Sequence, residues 1–540
     1  MYRAADHAAL IGRATALALR TCCGVIALVL AGCASTPLPP VDGIASHALK
    51  AEPSSLLGQA LEQAKLPQGM SGFRPLAEGQ YDLDARITLI NHAKVSIDYQ
   101  TYLLTDDSTG RLILRSLRDA AKRGVRVRLL VDDFYTKGED PLFLGLAAYP
   151  NAEVRLFNPF LSGRDTSFGR YLALAGDFKR LNHRMHNKMM TVDGVMAIAG
   201  GRNTADEYFF RNGTANFIDF DLLITGDVVD HLGELFDMYW NSEQVIPVAA
   251  AAHPVETAAT LRHTFDELVA PEYAPPMVVP TGPDLFKQLP FSQTLAAHQM
   301  QWIAAPATAH ADSPLKASLS LANSAAAEDT VRRRAMALLP HAHSEIIMFS
   351  PYFIPGDEGI AEFKQLRERG IEIKVITNSL PTSDEPLVNV GYEYYRTPLL
   401  QMGTKVYELS SSRLEHIPFM QRALRSSKGQ LHAKMGFIDR EFVLIGSMNM
   451  DPRSAKINTE LGMSVHSPEL ASMILAVYQV DHLEGTYQVT LKDDGVTPVW
   501  TSIGADGKPN SAASEDEPDS NWWERLQLKA QHFFVGDDLL

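Results

Sequence analysis

Across residues 77–245 the apolar positions switch repeatedly between a period of two and a period near 3.6, the marks of strands and amphipathic helices. "KVSIDYQTYLL" (94–104) alternates as an aromatic-rich strand. "TGRLILRSLRDAAKRG" (109–124) has helical spacing and stops at a glycine, and "VRVRLLVDD" (125–133) is strand-like again. "AEVRLFN" (152–158), "HNKMMTVD" (186–193) and "VMAIAGG" (195–201) predict three more strands. The second half repeats the series: "SEIIMFSPYFI" (344–354), "GIAEFKQLRERG" (359–370), "IEIKVITNS" (371–379), "TKVYELS" (404–410), then "LHAKMGFIDREFVLIGSMN" (431–449). The pattern predicts an α/β protein with largely buried sheets.

The registration of the two halves is tight. Gly124 precedes His186 by 62 residues, and Gly370 precedes His432 by 62. His186, Lys188, Asp193, Gly200 and Asn203 recur 246 positions later as His432, Lys434, Asp439, Gly446 and Asn449. Self-similarity at such a period means duplicated structural units, so two lobes are expected, at 73–245 and 329–487. Between them, residues 246–328 are rich in Ala, Pro, Thr and Ser and read as an inter-lobe linker or insert with short helices. Residues 488–540 form a C-terminal tail, with "NWWERLQLKAQHFF" (521–534) as an amphipathic closing helix packed on the body.

Composition narrows the function classes. The 540-residue chain has a formal net charge of −15, the opposite of the basic surface that a general nucleic-acid binder needs. Its three cysteines, Cys22, Cys23 and Cys33, all lie near the N-terminus, so the body has neither a disulfide framework nor a cysteine-ligated metal. Residues 1–32 read as a signal peptide: Arg3, Arg13 and Arg20 precede the apolar run "CCGVIALVLAG" (22–32), too short to span a bilayer comfortably. "LAGC" (30–33) resembles a bacterial lipoprotein box, which makes Cys33 the expected lipidation site and 33–72 a tether and N-terminal segment. An ordinary cleaved signal or an uncleaved anchor are the alternatives. With Ala34 rather than Asp after the cysteine, the resemblance implies the periplasmic face of an outer membrane, in a cell that has one.

In an extended strand, positions two apart share a face. His186 and Lys188 therefore project together, as do His432 and Lys434, while Met185, Asn187 and Met189 face the other way on a half-buried strand. Asn203 and Asn449 follow the turns Gly200-Gly201 and Gly446-Ser447. Two such sets facing one another would offer two imidazoles, two ammonium groups and two amides, which suits a phosphodiester anion. One histidine can attack phosphorus; the other can protonate the leaving alcohol and then deprotonate the acceptor; lysines and amides stabilise the equatorial oxygens. No metal or cofactor is called for. Each histidine needs an orienting acceptor. Aligning "ELGMSVHSPEL" (460–470) with "DFDLLITGDVV" (219–229) pairs Glu460 with Asp219, and Asp221 stays open as a second choice. Asp193 and Asp439 read as structural turn residues, and His183 and Arg184, which are unmatched in the second copy, as surface or locally hydrogen-bonded groups.

These residues resemble the phospholipase D superfamily, whose H-x-K-x4-D-x6-G-[GS]-x-N pattern is complete at 186–203 and again at 432–449. "GGRNTADEYF" (200–209) and "NMDPRSAKINTE" (449–460) are most similar to bacterial cardiolipin synthases of the C type. The resemblance implies a two-lobed phospholipase D fold of duplicated α/β/α sandwiches with one site between the lobes. It further implies His186 as nucleophile oriented by Glu460, and His432 as acid and base oriented by Asp219. The expected activity is phosphatidyl transfer to phosphatidylglycerol. Phosphatidylethanolamine is a further candidate lipid, a lipid anchor supplies the membrane contact, and no nucleic acid or protein partner is indicated. Hydrolysis to phosphatidic acid and a nuclease-like phosphodiesterase are the competing activities, and a tethered scaffold with a vestigial site is the non-catalytic one.

Overall fold

The computed structural model describes residues 38, 45–318, 328–424 and 426–523. The signal-like segment, Cys33 and residues 524–534 of the expected closing helix lie outside the described residues. Among the described residues no helix is long and apolar enough to cross a membrane.

Among the described residues, twenty strands form two nine-stranded sheets and one two-stranded ribbon. In chain order the first half contains β1 (Ser71–Leu76), β2 (Ser96–Thr101), β3 (Arg126–Asp132), β4 (Ala152–Phe157), β5 (Met189–Val192), β6 (Met196–Gly200), β7 (Ala215–Ile218), β8 (Asp221–Gly226), β9 (Val245–Pro247) and β10 (Ile303–Ala305). The second contains β11 (Ala307–Ala311), β12 (Glu345–Phe349), β13 (Glu372–Asn378), β14 (Lys405–Leu409), β15 (Lys428–Leu431), β16 (Met435–Ile438), β17 (Phe442–Gly446), β18 (Leu461–His466), β19 (Thr486–Leu491) and β20 (Pro498–Ser502). The sheet orders are β10-β1-β8-β6-β5-β2-β3-β4-β9 and β11-β18-β17-β16-β12-β13-β14-β19-β20. Their centres repeat one another strand for strand, with parallel pairs only at β2-β3-β4 and β12-β13-β14. The helices that make those parallel crossovers, Ser108–Lys122 and Gly356–Glu368, end at Gly124 and Gly370. Both glycines have φ near +90° (94° and 84°), the left-handed stop that glycine adopts without a Cβ penalty.

The inner faces of both sheets contribute to a single apolar core. Ala197, Leu222 and Ile224 of the first sheet belong to the same buried cluster as Ile347, Phe437 and Ile445 of the second. The helices Asp227–Trp240 and Pro468–Val477 also bury residues in this cluster. Separate clusters fill the outer layers under the helices of each lobe, which gives duplicated α/β/α sandwiches.

Three expectations change. Residues 246–328, read as linker, place β10 at the edge of the first sheet and β11 at the edge of the second. The crossing between the sheets is therefore only Pro306, ahead of the expected 328/329 boundary. The tail from 488 carries the rest of β19 and all of β20, which extend the second sheet. The segment 185–192 is buried on both faces rather than one: Met185 and Met189 lie in the core shared by the two lobes, Met190 and Val192 in the first lobe's own cluster, and His186 meets Glu460 of the second lobe.

Candidate active site

The lobes meet through their backbones at the residues that repeat. β15 pairs in parallel with β7, Leu431 opposite Ile218, and the His432 N–H donates to the Ile218 carbonyl at 2.9 Å. On the other side Met185 bridges Thr459, and the His186 N–H donates to the Thr459 carbonyl at 2.8 Å. Each histidine is thus clamped beside the residue that precedes the other lobe's carboxylate.

The side chains complete the exchange. His186 Nδ1 lies 3.0 Å from Glu460 Oε2, and His432 Nδ1 lies 2.5 Å from Asp219 Oδ2. An Nδ1–H donated to a buried carboxylate fixes the tautomer and leaves Nε2 as the working nitrogen. Lys188 Nζ donates to the His186 carbonyl at 2.6 Å, and Lys434 Nζ donates to the His432 carbonyl at 2.6 Å. Lys434 Nζ also stands 2.9 Å from His432 Nδ1. Asn203 Nδ2 donates to Tyr208 Oη at 2.8 Å, and Tyr208 Oη is 3.5 Å from His432 Nε2. Asn449 Oδ1 is buried without a hydrogen-bond partner among the described residues.

Burial and neighbouring charge set the protonation states. Burial, opposed by Glu460 and reinforced by Lys188, pushes His186 down to about 4. His432 is likewise lowered, by burial and then by Lys434. Burial lowers Lys188 well below the ordinary ammonium value and brings Lys434 to about 8, with the nearby carboxylates opposing in both cases. Burial alone would raise Glu460, but His186, Lys188 and the Ser447 hydroxyl hold it at about 2. Asp219 is held below the usual carboxylate range against the same burial by His432, Lys434 and Arg202. At rest, burial favours neutral imidazoles on ionised carboxylates, beside two lysines whose ammonium forms it weakens.

The turn residues explain the spacing. A Cβ at Gly201 would fall 2.1 Å from Asp219 Oδ1, and one at Gly200 would fall 2.2 Å from Asp221 Oδ1. Both positions need glycine for this close approach. At Gly446 a Cβ would meet the Leu461 carbonyl at 2.1 Å. Ser447, the counterpart of Gly201, instead donates its hydroxyl to Glu460 Oε2 and accepts from the Leu461 N–H at 2.9 Å. Asp193 and Asp439 have φ of 56° and 52°, and each caps the start of a neighbouring strand. Asp193 accepts from the N–H groups of Lys94, Val95 and Ser96, and Asp439 from those of His343, Ser344 and Glu345.

Asp221 does not reach either histidine; Arg86 Nη2 and the Arg202 N–H occupy its oxygens. Arg184 is fully buried rather than at the surface, and its guanidinium meets Asp132 at 3.1 Å. Asp132 also accepts the Met185 N–H at 2.8 Å, which holds the strand entering His186. His183 makes a local contact, Nδ1 to the Lys179 carbonyl at 2.7 Å. Sequence reasoning missed the aromatic walls. Tyr102 stands edge-on to His186 (centroids 4.9 Å apart) with Lys188 Nζ 5.2 Å from its ring centroid. Tyr208 and Phe217 pack at 5.0 and 4.9 Å on His432. Tyr102 lies in the strand-like run 94–104, far from the motif in sequence, and Tyr208 follows the first motif within "GGRNTADEYF".

Comparison with known proteins agrees with this geometry. A family described as "Cardiolipin synthase, PLD-like domain" matches residues 87–240 and 336–481, once in each lobe. Cardiolipin synthase C of Escherichia coli (strain K12) is 33% identical over 472 residues, 85% of this chain and 94% of that protein. An uncharacterized protein of Helicobacter pylori (strain ATCC 700392 / 26695) is 31% identical over 432 residues, 79% of this chain and 82% of its own length. The solved phosphatidylserine synthase of Haemophilus influenzae Rd KW20 shares the fold, with a TM-score of 0.51 at 12% identity over 80% of this chain and 91% of that one. With the motif complete in both lobes and a family match in each, the chain belongs to the cardiolipin synthase family of phospholipase D-like enzymes.

Proposed function

We propose that this enzyme is a membrane-anchored phosphatidyltransferase that makes cardiolipin through a phosphohistidine intermediate. The observation that carries the reading is the crossed pair: each histidine is held at Nδ1 by a carboxylate from the opposite lobe. His186 Nε2 attacks the phosphorus of a phospholipid, and the bond from phosphorus to the headgroup oxygen breaks. For this step His432 must carry a second proton, at Nε2; it gives that proton to the leaving alkoxide and is left neutral. It then takes the proton of a phosphatidylglycerol hydroxyl, whose oxygen attacks phosphorus and releases His186. Lys188, Lys434, Asn203 and Asn449 surround the phosphoryl oxygens as preorganised donors. The relative from Escherichia coli, a cardiolipin synthase by name, supports cardiolipin as the product; phosphatidylglycerol as acceptor and phosphatidylethanolamine as the candidate co-donor are part of the proposal.

Two features support attachment to a membrane. Cys33 in "LAGC" supplies a lipid anchor, placing the enzyme on the periplasmic face of an outer membrane. Phe168, Tyr171, Leu172 and Phe178 are exposed on one short stretch, and exposed aromatics of this density mark an interaction surface. That stretch adjoins the site: Lys137 Nζ bonds Ser167 Oγ at 2.9 Å, and nearby Tyr135 packs on Tyr102.

Incubating purified enzyme with labelled phosphatidylglycerol, with and without phosphatidylethanolamine, tests the activity. Labelled cardiolipin that vanishes in His186→Ala is expected. Phosphatidic acid alone would make the enzyme a hydrolase instead.

A further inference from the structure

The two lobes differ in the layer between sheet and outer helix. In the second lobe a cavity of about 410 Å³ lies there, walled by strands β11, β12, β16, β17 and β18 and the helix Val331–Met336. Protein interiors seldom hold voids larger than a water molecule, and this volume falls in the range of small-ligand sites. Its lining is mainly apolar, with Met348, Leu444 and Met463 among the residues. It also includes Lys434, Ser350 and Met448. Lys434 is bonded to His432, and Met448 immediately precedes Asn449, so the cavity adjoins the reaction centre.

The corresponding layer of the first lobe is filled. The strand pairings place Tyr99, Met190 and Asp221 where the second lobe has Met348, Gly436 and Gly462. Arg86, from the long helix Gly79–His92, reaches Asp82 and Asp221 at 2.6 Å and Tyr99 at 3.3 Å. Gly436 is informative because backbone crowding does not require it: a Cβ there would meet nothing nearer than Leu444, at 3.5 Å. A glycine inside a strand weakens it and often marks the approach of a ligand.

We propose that this cavity binds one acyl chain of the phospholipid whose phosphodiester lies between His186 and His432. The assignment rests on the phospholipid substrate proposed above. A long chain fits the apolar walls, and Lys434 at the cavity's edge stands where the phosphate begins. Each methylene buried there strengthens binding roughly fourfold.

Gly436→Leu, on the cavity wall, tests the assignment. Turnover of dihexanoyl and dioleoyl phosphatidylglycerol is compared, together with binding of a fluorescent polyene fatty acid. In the variant, kcat/KM for the dioleoyl lipid should fall about tenfold or more relative to the dihexanoyl lipid, and the fatty acid should no longer bind. An unchanged chain-length ratio with unchanged fatty-acid binding overturns the proposal. If the wild type turns over neither lipid, the phospholipid reading fails. Fatty-acid binding then decides only whether the cavity takes an acyl chain: its loss in Gly436→Leu supports that, and its persistence rejects it. Should Gly436→Leu fail to melt cooperatively, Leu444→Phe fills the same space and is read in the same way.

Discussion

The first lobe closes the layer outside its sheet with a buried charged cluster, Arg86 between Asp82 and Asp221. The second leaves the same layer open around Gly436. Yet at the lobe interface the two match almost atom for atom, each presenting a histidine, a lysine and an asparagine and lending a carboxylate to the other. The contrast separates two demands on a duplicated fold. What faces across the interface must be kept in both copies, because each histidine depends on the other lobe for its orientation. What lies behind the sheet is free to diverge, toward a packed polar support in one lobe and toward space in the other. A finer asymmetry lies between these extremes: Gly201 leaves room for Asp219, while Ser447 donates to Glu460.

The matching half of the comparison is broken most severely at the histidines. His186→Ala removes the nucleophile and should lower turnover about 100,000-fold. His432→Ala removes only the proton relay, a loss of about 100- to 10,000-fold. It should be substantially rescued by a p-nitrophenyl ester, whose leaving group needs no proton. Equal losses on that ester would mean that the two histidines share one role. Next come the crossed carboxylates. Glu460→Gln and Asp219→Asn each leave the wrong tautomer favoured and should cost about 1,000- to 10,000-fold in kcat, with melting temperatures near wild type. A loss at only one of them would break the symmetry argued here.

The divergent half is broken in the supporting layer. Asp221→Leu leaves Arg86 with Asp82 as its one remaining carboxylate partner and should destabilise the fold by about 3–5 kcal/mol in urea denaturation. Turnover per folded molecule should change little. A selective loss of activity at full stability would instead give Asp221 a place in the chemistry. Ser447→Gly gives the second lobe the first lobe's residue. It removes a charge-assisted hydrogen bond of about 1.5–3 kcal/mol, so kcat should fall about tenfold or somewhat more. The pH profile should show the smallest effect. Lys434, lowered to about 8, is cationic below that pH and neutral above it, so kcat/KM should decline as pH rises past about 8. His186, lowered to about 4, stays neutral and nucleophilic down to that pH. A rate that stays flat well past pH 9 would remove Lys434 from phosphate binding.

Much of this was legible in the sequence, for particular reasons. The histidines, lysines and asparagines stand out because the same polar positions recur after 246 residues inside apolar strands. Aligning the repeats also put Asp219 opposite Glu460. The strand boundary at Pro306 was hidden: β10 and β11 have three and five residues, too few to show a period in an alanine-rich stretch. Tyr102 read only as part of an aromatic-rich strand, and Tyr208 and Phe217 drew no reading of their own, because their contact with the histidines is made in space. Arg184 looked like a surface residue because its partner, Asp132, lies 52 positions away. The open layer of the second lobe had only one trace, the unrequired glycine at 436.

The central claim is that the two nearly matched histidines divide the work, with His186 carrying the phosphoryl group. Rapid acid-free quenching of the enzyme with phosphorus-labelled phosphatidylglycerol, followed by peptide mapping, tests it directly. The predicted result is an acid-labile, base-stable phosphoramidate on the peptide containing His186, absent from His186→Ala and retained in His432→Ala given the p-nitrophenyl ester. Label on His432, or turnover with no labelled histidine under any of these conditions, would contradict it.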